Sequence, residues 1–323
     1  MLAVQDYYPL RIRDCSGTNS GYNGRMLRFA VLGSGSSGNC SVVSWGGTHV
    51  LIDVGLSAMQ ILLRLKALGL EVEQISAVVL THEHSDHTRG LDVLLGKREK
   101  LPVYATSQTS RVVREFLSRK PKWHVFEAGH SFALAEFVVE SFPVMHDAVD
   151  PVGFVFRVGG LGLGSLSDTG HATQLIRERL RGLDALHIEA NYDEVLLQND
   201  PKRPFSTKQR ISSRHGHLSN TQAAELIAET ACERLRWVVL NHISKDCNSP
   251  VLAAGEVTKA LLKAGFRGVS VHCACHKKPL HFLELFPPPP VEFPTPPEDT
   301  PPEDVCAVQE DVVNAPHQSR AAP

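Results

Sequence analysis

Thr81-His82-Glu83-His84-Ser85-Asp86-His87 is the stretch on which fold and chemistry both turn. It sets three imidazoles and a carboxylate within six positions, directly after the apolar run Ile75 to Leu80. Side chains alternate faces along an extended chain, so His82 and His84 can point the same way, and a following turn can bring Asp86 and His87 back beside them. A solvated loop rich in histidine is the bland alternative. Four ligand-type residues between a buried-strand signal and a helical one favour a metal-ligand cluster.

Working outward, Val50-Leu-Ile-Asp53 is a strand that ends in a carboxylate. Asp53 could merely cap the helix whose apolar stripe is Met59, Leu62, Leu63, Leu65 and Leu68. Before it, Trp45 and Thr48 flank Gly46-Gly47 as a hairpin turn. Gly33-Ser34-Gly35-Ser36-Ser37-Gly38 satisfies G-x-G-x-x-G, but an apolar β-rich run from Asn39 follows it rather than a helix, so a dinucleotide fingerprint fails on context. A tight turn needing glycine is one reading of this loop. The other is that Gly33 to Asn39 lines a phosphate with backbone N–H groups and serine hydroxyls.

Beyond the cluster, strands alternate with amphipathic helices: Leu91 to Leu95 and Ser107 to Ser118 helical, Pro102 to Ala105 extended, then short β pieces from Trp123 to Val139. Gly153 to Val158, Leu161 to Ser167, Ala185 to Ala190 and Trp237 to Asn241 read as strands. Ala172 to Arg181, Thr221 to Leu235 behind the capping box Ser219-Asn-Thr-Gln222, and the stretch from Pro250 to near Gly265 read as helices. The pattern is α/β with layered packing. Further metal-type residues stand at strand ends: His146 with Asp147, Asp168 and His242. Each alone is more often a satisfied polar residue.

The chain of 323 residues, 42% hydrophobic and 21% charged, has the balance of a globular enzyme. No apolar run approaches the roughly 18 residues of a membrane span, and residues 1 to 25 do not read as a signal peptide, so a cytoplasmic protein is expected. Its seven cysteines are odd in number and scattered, which fits reduced thiols. Acids outnumber bases seven to one from Phe286 to Pro323, a net of −6; residues 1 to 25 carry +1, leaving +3 for Met26 to Leu285 out of the total of −2. That mild excess permits a phosphate-bearing substrate without demanding one. Three segments follow: an N-terminal extension (1–25), a folded domain (26–285), and an acidic proline-rich tail (286–323) whose composition predicts disorder and permits docking to a protein partner. His272-Cys-Ala-Cys-His276 invites a metal-site reading, but alternation within a terminal strand explains it better.

The spacing His-x-His-x-Asp-His resembles the signature of the metallo-β-lactamase superfamily of di-metal hydrolases. The resemblance implies a four-layer αββα sandwich with two metals at one sheet edge. It assigns His82, His84 and His146 to one ion and Asp86, His87 and His242 to the other, with Asp168 bridging and Asp53 holding the metal loop from behind. Nitrogen and carboxylate ligands without thiolate suit zinc or manganese. Two ions about 3.5–4 Å apart can activate a bridging water as nucleophile.

Ile188-Glu189-Ala190-Asn191-Tyr192-Asp193 and Gly216-His217-Leu218-Ser219-Asn220 resemble elements of the tRNA 3′-processing nucleases of that superfamily. Carried over, Asp86, His217 and Glu189 form the catalytic set, with His217 the general acid and Glu189 its orienting partner; His215 stays unassigned. From Met26 to about Ala264 the chain is similar to the bacterial WalJ/YycJ family, metal-dependent DNA exonucleases acting from the 5′ end. It carries Leu32 to Cys40, Thr81 to His87, His146 to Gly153, Glu189 to Asp193, Gly216 to Asn220 and His242 to Asn248. Tyr192 departs from the histidine of that family's Glu-Ala-Asn-His-Asp. The long insertion of β-CASP nucleases is missing. The resemblance implies a 5′-to-3′ DNA exonuclease with Gly33 to Asn39 as the phosphate loop. An RNA-processing nuclease of the same fold, a small-molecule ester, thioester or lactone hydrolase, and a non-catalytic metal-binding regulator are the rivals.

Overall fold

The computed structural model describes residues 25–288. The N-terminal extension, except Arg25, and the tail beyond Pro288 lie outside the described residues.

Strands β1 (Leu27–Gly33), β2 (Cys40–Trp45), β3 (Thr48–Ile52), β4 (Ile75–Val79), β5 (Pro102–Thr106) and β6 (Lys122–Phe126) come first. They are followed by β7 (Ser131–Leu134), β8 (Phe137–Pro143), β9 (Val152–Val158), β10 (Leu161–Leu166), β11 (Ala185–Glu189), β12 (Trp237–Asn241), β13 (Ser270–Cys273) and β14 (Leu280–Leu285). They form two seven-stranded sheets, ordered β14-β1-β2-β3-β4-β5-β6 and β13-β12-β11-β10-β9-β8-β7. The helices are α1 (Ala58–Ala67), α2 (Ser85–Thr88), α3 (Leu91–Lys97), α4 (Ser107–Phe116), α5 (Gln174–Leu180), α6 (Glu194–Asn199), α7 (Phe205–Ile211), α8 (Asn220–Thr230) and α9 (Pro250–Lys263).

The layers follow from alternation. Along β1, Leu27, Phe29 and Val31 face a core shared with Phe154, Phe156, Leu163 and Val239 of the second sheet. Ala30 and Leu32 face the other way, onto Ile61 and Leu65 of α1 and Leu91 of α3. On the far side, Leu186, Ile188, Val238 and Leu240 pack against Ile176 of α5, Ile227 of α8 and Val257 of α9. A strand buried on both faces must be apolar throughout, which is why β4 and β12 read as continuous hydrophobic runs. The result is the expected αββα sandwich. Truncating the fully buried Phe154 or Phe156 to alanine would remove about 3–5 kcal/mol each.

Local signals hold. Gly46 turns β2 into β3 at φ +55, and the Ser219 hydroxyl and Gln222 side chain close the capping box of α8 in both directions. That helix stops at Thr230, short of the expected Leu235. The backbone is extended at Ala231 and makes a Leu235-to-Cys232 turn that feeds β12 alongside β11. The His272-to-His276 strand is also shorter than expected. Its ladder ends at Cys273, and the chain then crosses to the first sheet as β14 beside β1. No helix among the described residues is long and apolar enough to cross a membrane.

Candidate metal centre

β3 and β4 run parallel in one sheet, and β10, β11 and β12 run parallel in the other. Their carboxyl ends deliver Asp53, the Thr81–His87 loop, Asp168, Glu189 and His242, while the β8–β9 connection adds His146. Three of these residues leave their strands through left-handed backbone: Asp53 at φ +58, Asp168 at +50 and His242 at +51. Such a conformation costs a non-glycine residue on the order of 1 kcal/mol and persists where the surroundings over-determine it. Gly55 is required where it stands, because a Cβ there would fall on the Asp86 carbonyl of α2.

His82, His84 and His146 form one group, with ligand-type atoms within 4.8 Å of one another; His82, His87 and Asp168 form a second, and Asp168, Glu189, His217 and His242 a third. His82 Nε2 and His84 Nδ1 stand 3.1 Å apart. The Nδ1–H of His146 reaches the Gly216 carbonyl at 3.2 Å, which turns Nε2 toward the cluster. His87 lies between Asp53, at 2.8 Å from Nδ1, and Asp168, at 3.0 Å from Nε2. Asp168 bridges in space, its other oxygen 2.7 Å from His242. Asp86 sits at the rim, 3.6 Å from His87 Nε2 and outside the three buried groups.

Asp53 is fully used. It accepts from the Thr81 amide at 2.8 Å and the Thr81 hydroxyl at 2.9 Å while facing His87. Glu189, wholly buried, accepts from the Thr169 and Leu218 amides and faces His217 Nδ1 at 2.7 Å and His242 Nδ1 at 3.1 Å. His215, by contrast, is exposed and outside these groups. Tyr192 is not part of these groups but packs against Leu197 and Cys247, and burial with Glu194 and Glu189 pushes its phenol up to about 12.

The Gly33–Asn39 loop divides its labour. The Ser34 hydroxyl accepts from the His242 amide at 2.7 Å and donates to Asn39. Asn39 in turn meets His87 Nε2 at 3.1 Å and the Asp86 carboxylate at 3.5 Å. Gly38, at φ +145, passes so close to the Gly55 carbonyl that no side chain fits. Ser36 and Ser37 lie on the outer part of the loop, and the Ser37 hydroxyl contacts His276 and accepts from Lys245. The sequence leaves this loop open between a glycine-requiring turn and a phosphate site, and does not show that Ser34 and Asn39 support ligand-type residues. It also left Thr81 without a role, although that residue opens the decisive stretch.

The donor set fits divalent cations. Burial holds the imidazoles of His82 and His146 below their ordinary range, neutral with a lone pair to offer. Burial also disfavours charge on His87 and His242, but Asp53 and Asp168 outweigh it at His87, and Asp168 with Glu189 at His242, which rises to about 10. The Asp168 and Glu189 carboxyls are lowered although burial alone would raise them, because His242 with His87, and His217 with His242, face them. Among the described residues, no lysine or arginine pairs with Asp53, Asp86, Asp168 or Glu189. A buried carboxylate set without fixed cations calls for mobile ones.

Residues 48–243 match the model of the Beta-lactamase superfamily domain. The chain belongs to the metallo-β-lactamase superfamily. Within that superfamily it is of the WalJ/YycJ type. It is 34% identical over 242 residues to the exodeoxyribonuclease YycJ of Bacillus anthracis, covering 74% of this chain and 91% of that protein. It is 33% identical over 249 residues to the exodeoxyribonuclease WalJ of Streptococcus pneumoniae serotype 2, covering 76% and 91%. The crystal structure of the metallo-β-lactamase fold protein YhfI from Bacillus subtilis superposes with a TM-score of 0.65 at 18% identity, covering 80% of this chain and 99% of that one, a likeness of fold. Membership makes the chain a metal-dependent hydrolase.

Proposed function

We propose that this hydrolase is a nuclease that shortens DNA strands from the 5′ end, using two divalent ions, zinc or manganese. The observation that carries the reading is the Glu189–His217 pair: a buried carboxylate 2.7 Å from an imidazole whose side chain remains 21% exposed, at the edge of the ligand cluster. A small-molecule hydrolase has no need of that pair. An alkoxide leaving from a phosphodiester needs a proton donor, and an imidazole fixed at Nδ1 by a carboxylate presents its Nε2–H outward for that purpose. The DNA preference rests on the exodeoxyribonucleases to which the chain is similar along most of its length.

In this reading His82, His84 and His146 would hold one ion and Asp86, His87 and His242 the other, with Asp168 available to both. Bound divalent ions supply Lewis acidity toward the phosphoryl oxygens and an activated water. The protein does the rest. Asp53 fixes the His87 tautomer, Ser34 and Asn39 hold the ligand loops in register, and Glu189 aims His217 at the leaving oxygen. As the oxygen of that water bonds to phosphorus, the bond from phosphorus to the leaving oxygen would break and His217 would give that oxygen its proton, so that one product ends in a hydroxyl and the other in a phosphate.

Matched DNA and RNA strands, each with and without a 5′ phosphate, test the proposal on protein loaded with zinc or manganese against Asp168→Ala. Stepwise loss of DNA from the 5′ end, absent in the variant, is the expected result. Preference for RNA would move the chain to RNA processing. Intact strands with metal-loaded protein would sink the nuclease reading.

A further inference from the structure

On the far side of the Gly33–Asn39 loop from the ligand cluster lies a surface pocket of 370 Å³. Arg64, Arg89, His276 and Lys277 line it, with Ser37 and Ser57. Lys245 reaches it through Ser37, its Nζ 3.1 Å from the hydroxyl. Arg64, Arg89 and Lys277 thus line a cavity that no carboxylate lines, with Lys245 beside it, and none of these four cations is ion-paired with a carboxylate among the described residues.

Two of these cations are held in place. Arg64 donates to the Leu32 carbonyl, to the His276 carbonyl at 3.0 Å and to Gln60 at 3.2 Å, so its guanidinium plane is fixed between β1, α1 and the segment before β14. Arg89 donates to the Ser37 carbonyl at 3.3 Å. The ten-residue helix α1 begins at the pocket with Ser57 as N-cap and no acidic residue in its first turn, adding the positive end of a helix dipole. The His276 ring registers the field: burial first, then Lys245, Arg64 and Lys277, depress its protonation. It reaches this place only because β13 ends at Cys273.

We propose that this pocket is a phosphate subsite that grips the substrate strand at a phosphate other than the scissile one. The inference rests on the nuclease reading and deepens it. One loop spans both places. Ser34 and Asn39 support the ligand residues and Ser37 faces the pocket, so a strand held here is registered against the metal centre. The phosphate is either the 5′-terminal group or an internal diester, the same chemistry from two sources.

Arg89 and Lys277 are exposed, and neutralising them leaves the core untouched. The metal-loaded full chain and its Arg89→Gln/Lys277→Gln variant are compared on 5′-phosphorylated and 5′-hydroxyl DNA strands over a range of salt, with thermal melting confirming the fold. The variant is expected to raise KM about tenfold or more with kcat retained. The slope of log(kcat/KM) against log[salt] should flatten by about 0.7, one single-strand phosphate contact. A rise confined to the phosphorylated strand assigns the terminal phosphate, and an equal rise for both assigns an internal one. Unchanged KM and slope, in a protein whose wild type degrades DNA, would overturn the subsite alone, as would a loss of kcat at constant KM. A wild type that degrades no strand would overturn the nuclease reading and the subsite with it.

Discussion

Replacing Asp53 by asparagine changes one atom and almost no shape. The site tolerates the swap conformationally, since asparagine adopts left-handed backbone as readily as aspartate does at φ +58. What changes is the hydrogen-bond logic. Asp53 accepts on both oxygens: the Thr81 amide on one, the Thr81 hydroxyl and His87 Nδ1–H on the other. An asparagine that keeps its oxygen on the Thr81 amide turns its NH2 toward His87 Nδ1. His87 must then accept there and carry its proton on Nε2, pointing at Asp168 where an ion would sit. The flipped amide sets a donor against the Thr81 N–H instead. The first orientation puts a proton where a lone pair is needed for the ion, and the second leaves one mismatched buried pair. Loss of an outer carboxylate of this kind weakens metal binding about 10–100-fold, or about 1.4–2.7 kcal/mol. Chelator competition on Asp53→Asn should therefore show one of two ions weakened by that factor. The ion on His82, His84 and His146 should change less. Two ions bound with wild-type affinity would refute the role given to Asp53.

His217→Ala should lower DNA turnover about 10²–10⁴-fold while metal content, read by elemental analysis, stays at the wild-type level; loss of an ion would place His217 among the ligands. Burial holds the His187 imidazole at about 3, against about 6.5 in the unfolded chain. Its contribution is thus complete above pH 6.5 and drains away as pH falls toward 3. Urea melts should show wild type losing about 2 kcal/mol more than His187→Gln between pH 7 and pH 5. Metal-free protein should behave oppositely at high pH. His242, raised to about 10, stabilises the empty centre below pH 6.5 and progressively less up to pH 10, so the melting gap opened by chelation should widen with alkalinity, and metal binding at neutral pH should release protons.

Much of this centre was legible because its residues announce themselves by spacing. His82 to His87 lie within one turn of chain, and Asp53, Asp168, Glu189 and His242 each close or follow an apolar run, so the ends of parallel strands could be marked without knowing which strands pair. The layered α/β class followed from periodicity, and the αββα order from the superfamily resemblance. What stayed hidden depends on chain crossings. Nothing in Cys273 to Leu280 says that the chain leaves one sheet for the edge of the other, so His276 read as part of a strand rather than as a partner of Ser37. Nor does spacing distinguish a serine that faces a surface pocket from one that holds an amide: Ser34 and Ser37 are three residues apart in one loop and make different contacts. Helices α6 and α7 are short, with little or nothing buried, too weak a pattern to see in advance.

The two sides of that loop also explain each other electrostatically. Among the described residues, buried carboxylates on one side gather without a lysine or arginine, and three non-glycine residues there hold left-handed backbone; on the other side cations gather without a carboxylate. A chain selected only for stability would mix these charges and relax those turns. Keeping them apart lets divalent ions neutralise the first set while the second remains positive. In the proposed nuclease a polyphosphate strand would then meet positive potential at both places, one able to polarise a phosphorus–oxygen bond and one able only to hold. On that proposal, separation of charge across Gly33–Asn39 would divide chemistry from grip, and the salt dependence of KM and the metal dependence of kcat should be separable by mutation.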